Sequence, residues 1–292
     1  MSKKTALVLS GGGAKGAFQV GAEKYARQAK GYRWDVIAGV SIGAFNGAML
    51  AMGRHKALEE FWNTLTPERL YGRSNGHAMH IARRLVLRKA SFYENDPVRE
   101  FIDKEVHPSR MAVDLRVGAV SLASGEYRSF RASHPHFMQA LLASMALPPL
   151  FPPVLVGSEY MIDGGFRKVC PISDALDAEP DEIVVINCNP MRPPAAAETP
   201  AHAFGISQIA ASVSMHQIFR NDVKKFLLIN RLVAQAEASG AALMADDGRR
   251  YRNFPAIIIE PDAYTGETTD LSPAHVRRAF DAGWEKAKKV LG

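Results

Sequence analysis

Two cysteines in 292 residues, Cys170 and Cys188, are too few for a disulfide framework and show no zinc-ligand spacing. Both read as free thiols in a reducing compartment. No apolar run is long enough to cross a bilayer. The stretch after Lys3 and Lys4, Thr5 to Ser10, is too short for a signal-peptide core and meets glycines at once. It reads as a first β-strand, and the chain as a cytoplasmic protein with access to a membrane surface from outside. Neither sign of charge dominates. A net charge of +6 with no accompanying motif is too small an excess to indicate nucleic acid, but it suits an anionic membrane surface or an acidic ligand. Internal repeats, coiled-coil heptads and low-complexity tracts are absent.

What is present is a sizeable core, with 47% apolar and 23% charged residues, in proportions usual for a globular chain. Buried strands read at Thr5–Ser10 and Trp34–Ala38, each followed by a helix, at Lys15–Lys30 and Ile42–Met52. This strand–helix alternation predicts a parallel sheet covered on both faces. Residues 55–110 read as helical. Strands follow at Asp114–Leu122, Tyr127–Arg131, Tyr160–Asp163, Ile183–Ile186 and Ala256–Glu260, and helices at His136–Ala146, Ile206–Ser239 and Pro273–Leu291. With no boundary visible, the chain reads as one domain over 1–292. Its motif-bearing core is about 5–190, with a C-terminal helical extension at about 205–292.

Chemistry concentrates where the first two strands end. Gly11-Gly12-Gly13-Ala14-Lys15-Gly16 opens the first helix, and backbone N–H groups at such a start can aim at a negative charge. Gly39-Val40-Ser41-Ile42-Gly43 follows the second strand. In this G-x-S-x-G pattern the serine sits on a sharp turn that only glycine neighbours tolerate. Ser41 could equally be a helix cap. Asp163, at a strand end before Gly164-Gly165, is either a turn residue or a carboxylate able to take the Ser41 proton. In the second role it needs burial and a strong oxyanion site, because its ordinary pKa is low. The late histidines His202, His216 and His275 lack the setting of a positioned base and read as surface or capping residues. His134 and His136, flanking Pro135, read as a surface loop with too few companions for a metal.

Together the three motifs resemble the patatin-like phospholipase family, whose signature is G-G-G-x-[RK]-G, then G-x-S-x-G, then D-G-[GA], in this order. Ala143-Ser144-Met145-Ala146-Leu147-Pro148 leading to Phe151-Pro152-Pro153 is similar to the segment that precedes the family's aspartate. The resemblance covers roughly residues 5–190, without departure at a motif position. It implies a three-layer α/β/α sandwich with a mainly parallel sheet. It implies a Ser–Asp dyad without histidine, with Ser41 as nucleophile and Asp163 as base. It implies an oxyanion hole from the N–H groups of Gly11, Gly12 and Gly13. The activity implied is hydrolysis of a lipid acyl ester, most simply a phospholipid, through an acyl-enzyme, with no metal or organic cofactor. Lys15 stands at the family's basic position, either near the developing charge or solvated on the first turn.

Two other readings compete. G-x-G-x-x-G between a strand and a helix also fits a Rossmann dinucleotide site, but that site wants an acid at the end of the second strand. Asp35 lies near its beginning. The same fold could also serve as a non-catalytic lipid-binding scaffold. For membrane contact, His77–Lys89 offers a basic amphipathic helix, with Met79, Leu85 and Val86 beside Arg83, Arg84 and Arg88; an ordinary surface helix is the plainer reading. Pro190–Pro200 could be a lid or a connector.

Overall fold

The structure is a computed structural model and describes residues 3–71, 77–192, 203–246, 248–263 and 265–292. The proposed lid at 190–200 lies mostly outside the described residues, as do His202 and the side chains of Met79 and Leu85. In chain order the elements are β1 (Thr5–Leu9), α1 (Gly16–Ala29), β2 (Val36–Val40), α2 (Ile42–Ala51), α3 (His55–Thr64), α4 (Pro67–Tyr71), α5 (His77–Val86), α6 (Asp96–Glu105) and β3 (Asp114–Ser121). Then come β4 (Tyr127–Arg131), α7 (Phe137–Ser144), β5 (Val154–Val156), β6 (Glu159–Asp163), α8 (Ile172–Leu176), β7 (Glu182–Ile186), α9 (Ala203–Ala238), β8 (Ala256–Ile259) and α10 (Pro273–Leu291).

The strands form an 8-stranded sheet in the order β5-β6-β3-β2-β1-β7-β8, with β4 also paired to β3. Strands β3, β2, β1, β7 and β8 run parallel, while β4, β5 and β6 pair antiparallel. Side chains alternate between two cores, as the period of a strand requires. Leu7, Leu9, Ile37, Val184 and Ile186 face one core, which is closed by α1, α2, α3, α6, α7 and α10. Ala6, Val8, Ala38, Ile183 and Val185 face the other, closed by α8 and α9. The three-layer α/β/α sandwich expected from the sequence is therefore present.

The second strand lies two residues later than its apolar run suggested. Trp34 turns back, donates its indole N–H to Glu23 at 3.1 Å and stacks on Tyr32. Asp35 accepts the Thr5 N–H at 2.8 Å, so parallel pairing with β1 begins only at Val36. The strand then runs without a break into Ser41. Two short elements, β5 and α8, carry too few residues to show a period and went unpredicted.

The register of β3 decides what meets above the sheet. Strand β4 occupies one edge of β3 over Arg116–Val120. On the remaining edge, β2 pairs up to Val40↔Gly118, and β6 takes over at Asp163↔Ala119. The two strands thus abut end to end along one edge of β3, approaching from opposite directions. The C-terminal residue of each sits beside that of the other.

Candidate functional site

Ser41 follows β2 with φ 58° and ψ −131°, a region that a residue with a side chain enters only under strain. The turn is close enough that a Cβ on Gly39 would lie 2.4 Å from the Gly43 carbonyl, and one on Gly43 2.4 Å from the Leu9 carbonyl. Only glycine fits either place. The Ser41 side chain makes no cap hydrogen bond to α2, so the helix-cap reading fails. Its N–H instead donates to Ser144 Oγ at 2.9 Å.

Asp163 is fully buried. Its Oδ1 accepts the Gly165 N–H at 2.7 Å, while Oδ2 has no hydrogen-bond partner of regular geometry among the described residues. Burial raises its pKa from 3.8 to about 7, against the opposing pull of the Ser41 hydroxyl and the Gly165 N–H. The Ser41 hydroxyl thus approaches the carboxylate without completing an aligned hydrogen bond, a common state of such pairs before substrate binds.

One segment ties both groups down. Ser144, the last residue of α7, holds the Ser41 amide, and the Ala146 carbonyl accepts the Asp163 N–H at 3.1 Å. Ser144 is fully buried. Its motif neighbours pointed to this segment, but its task was not visible before folding. Ser144→Ala is expected to leave the Ser41 N–H without an acceptor and to lower stability by roughly 1–3 kcal/mol, measured as a drop in urea midpoint at constant slope.

The glycine loop lies beside the serine: a Cβ on Gly11 would sit 3.3 Å from Ser41 Cβ. Its three N–H groups are not equivalent. Gly11 donates to the Val169 carbonyl at 2.9 Å. The N–H groups of Gly12 and Gly13 have no acceptor among the described residues. Gly13 adopts φ +57° against Thr268, whose carbonyl accepts the Ala14 N–H at 2.8 Å.

Lys15 is not solvated. It is buried, its Nζ donates to Asn189 Oδ1 at 2.6 Å, and burial lowers its pKa to about 8. The histidines depart from expectation in part. His275 is fully buried in the first turn of α10, 3.7 Å from Asp270, with its pKa lowered mainly by burial. It is a core residue rather than a surface one. His216 is half-buried beside Phe219. His134 is exposed, and its Nδ1 accepts the His136 N–H. Among the described residues no group of three or more His, Cys, Asp or Glu could hold a metal. Asp35 caps the start of β1, at the opposite end of the strands from the glycine loop, where it cannot serve a dinucleotide ribose at that loop. In α5, Arg84 is turned to the Ser91 carbonyl and to Glu94 rather than to solvent. No helix among the described residues is long and apolar enough to cross a membrane.

Known proteins are similar to this chain over part of its length. The family model described as patatin-like phospholipase matches residues 7–176, more than half of the chain. The lysophospholipase nte1 of Aspergillus terreus is 29% identical over 175 residues, covering 56% of this chain and 10% of its own. An uncharacterized NTE family protein of Mycobacterium bovis is 27% identical over 190 residues, covering 64% and 50%. The chain thus spans a tenth of the fungal relative's length and half of the mycobacterial one's. Among solved structures, VipD from Legionella pneumophila aligns with a TM-score of 0.49 at 16% identity, covering 100% of this chain and 67% of that one.

Proposed function

Because this chain belongs to the patatin-like phospholipase family, we propose that it is a serine lipid acyl hydrolase of phospholipase A type, working through a Ser41–Asp163 dyad. What supports the reading is a strained Ser41 in reach of a fully buried Asp163, whose Oδ2 has no hydrogen-bond partner among the described residues and whose pKa is raised to about 7. A carboxylate in that range is a far better base at neutral pH than an ordinary one.

In the proposed reaction Oδ2 takes the Ser41 proton as Oγ attacks the acyl carbonyl carbon. The carbonyl oxygen becomes an oxyanion held by the N–H groups of Gly12 and Gly13, with the positive end of α2 adding to the field. The ester C–O bond breaks, and the leaving alcohol departs with the proton from Asp163, leaving an acyl-serine. Water then gives a proton to Asp163 and attacks the same carbon, the acyl carbon–Oγ bond breaks, and Asp163 returns the proton to Oγ, releasing the fatty acid with Ser41 restored. Each step balances with no metal or organic cofactor. The proposed place of work is the cytoplasmic face of a membrane, and the whole described chain acts as one catalytic domain.

The test is a panel of phospholipids, lysophospholipids and neutral acylglycerols, with products read by mass spectrometry beside the Ser41→Ala protein. Free fatty acid from the wild type alone supports the reading. Equal release by both proteins, or none from any lipid, rejects it. Fluorophosphonate labelling separates the scaffold alternative, in which Ser41 stays unmodified.

A further inference from the structure

Helix α9 carries an outward face that the hydrolase reading leaves unexplained. The helix has 36 residues, about 54 Å at 1.5 Å per residue. Its inner side is anchored by Phe219, Val223, Phe226 and Val233, all buried. With 3.6 residues per turn, Ile206 and Val213 point roughly 125–145° away from that inner side, and Ile209 lies on the flank between at roughly 85°. They are 51%, 42% and 63% exposed. No Asp, Glu, Lys or Arg occurs between Ala203 and Phe219, whereas an exposed helix ordinarily presents charge to water.

The rest of the outward face continues in a related chemistry. Leu227, Leu228 and Leu232 are exposed large apolar residues, and Lys224, Lys225 and Arg231 are exposed among them. The acids of the helix are turned elsewhere. Asp222 accepts the Cys170 N–H at 3.0 Å, and Glu237, at the far end, pairs with Arg250. A face of isoleucine, valine and leucine with lysine and arginine, and with no carboxylate on it, matches the interior-edge and headgroup layers of an anionic bilayer.

We infer that the outward face of α9 is an interfacial membrane anchor for anionic lipid. Its apolar stripe enters the headgroup–acyl boundary, and its cations meet lipid phosphates and carboxylates. The same helix touches the active-site turn: a Cβ on Gly165 would lie 2.8 Å from Met215 Cε. Docking through α9 therefore brings the bilayer to the element that packs on the Asp163 turn. The link to turnover rests on the hydrolase reading; the binding itself does not.

The experiment uses the full chain and two vesicle types, phosphatidylcholine alone and phosphatidylcholine with about a third phosphatidylserine, in sedimentation binding. A variant with Ile206→Asp, Ile209→Asp and Val213→Asp is compared with wild type, together with a milder serine triple at the same positions. These side chains are exposed, so a melting temperature close to that of wild type is expected. Tenfold or greater loss of binding to anionic vesicles in both triples, with wild type preferring the anionic mixture, is the expected result. A Lys224→Glu, Arg231→Glu variant is expected to lose the anionic preference and keep weak binding to phosphatidylcholine. Wild-type failure to bind, or unchanged binding by the folded triples, overturns the inference. A dimer in wild type that the triples abolish, without vesicle binding, would instead assign the face to a second copy and also overturns it. Hydrolysis of a water-soluble short-chain ester, run in parallel, is expected to be equal in wild type and triples. Absent ester hydrolysis with intact vesicle binding would overturn the hydrolase reading and leave the anchor standing.

Discussion

Ser41→Ala is expected to abolish ester hydrolysis, a loss on the order of 10⁶-fold if it behaves as comparable serine nucleophiles do, while the protein stays folded. The substitution removes the proposed attacking oxygen and leaves the glycine loop and Asp163 in place. Ser41→Gly separates chemistry from strain. At φ 58° and ψ −131° the serine backbone occupies a region costing about 1–3 kcal/mol for a residue with a side chain, which glycine enters without penalty. The glycine variant is therefore expected to be as inactive as alanine yet to melt higher than the alanine variant. Steady-state kinetics with a chromogenic ester, together with thermal melts of the three proteins, check both statements. Turnover near wild type in either variant removes Ser41 from the mechanism.

Asp163→Asn is expected to lower kcat by about 10³-fold or more, the range seen when a serine nucleophile loses the carboxylate member of its site. In the wild type, kcat/KM should climb about tenfold per pH unit below neutrality and level off above about 7, where burial has moved the carboxyl. The asparagine variant should lose that limb. A profile flat from pH 5 to 8 in the wild type, or full activity in the variant, would exclude Asp163 as the base.

The same shift acts on stability with the opposite benefit. The folded pKa of about 7 lies above the ordinary value of 3.8, so the folded state holds this proton more tightly than the unfolded one. Its stabilising contribution is complete below pH 3.8 and declines as pH rises toward 7. At roughly 1.4 kcal/mol per unit, ionising Asp163 costs the fold a few kcal/mol at neutral pH. Asp163→Asn escapes that cost, and it is expected to melt several degrees above wild type at pH 8 with the gap closing toward pH 4. Under the proposed dyad, the base that catalysis needs lowers stability, a trade common at active sites.

Much of this was legible before folding. The β1–α1 and β2–α2 units announce themselves through apolar runs ending in glycine, because a strand that must turn sharply into a helix leaves few residue choices at the turn. Helix α10 was read at Pro273–Leu291 and lies there, while its cap, the Ser272 hydroxyl accepting the His275 N–H, is a finding of the structure. Less legible were β5 and α8, too short to carry a period, and the true start of β2, which the Asp35–Thr5 contact sets rather than hydropathy. Likewise, nothing local told that Lys15 would be buried against Asn189 or His275 enclosed in the core.

The chain alone determined which residues could do chemistry: a serine that needs glycine on both sides, a carboxylate at a strand end, and a helix start rich in N–H groups. Tertiary structure decided that they meet. Strands β2 and β6 are distant in sequence and touch only because β3 is long enough to pair with both along one edge, and that register is a non-local property no spacing encodes. It also decided which donors remain, since Val169 takes the Gly11 N–H and leaves those of Gly12 and Gly13. The reason is physical: turn chemistry is written in neighbouring residues, whereas burial, donor occupancy and end-to-end strand alignment depend on which distant surfaces the whole fold brings together.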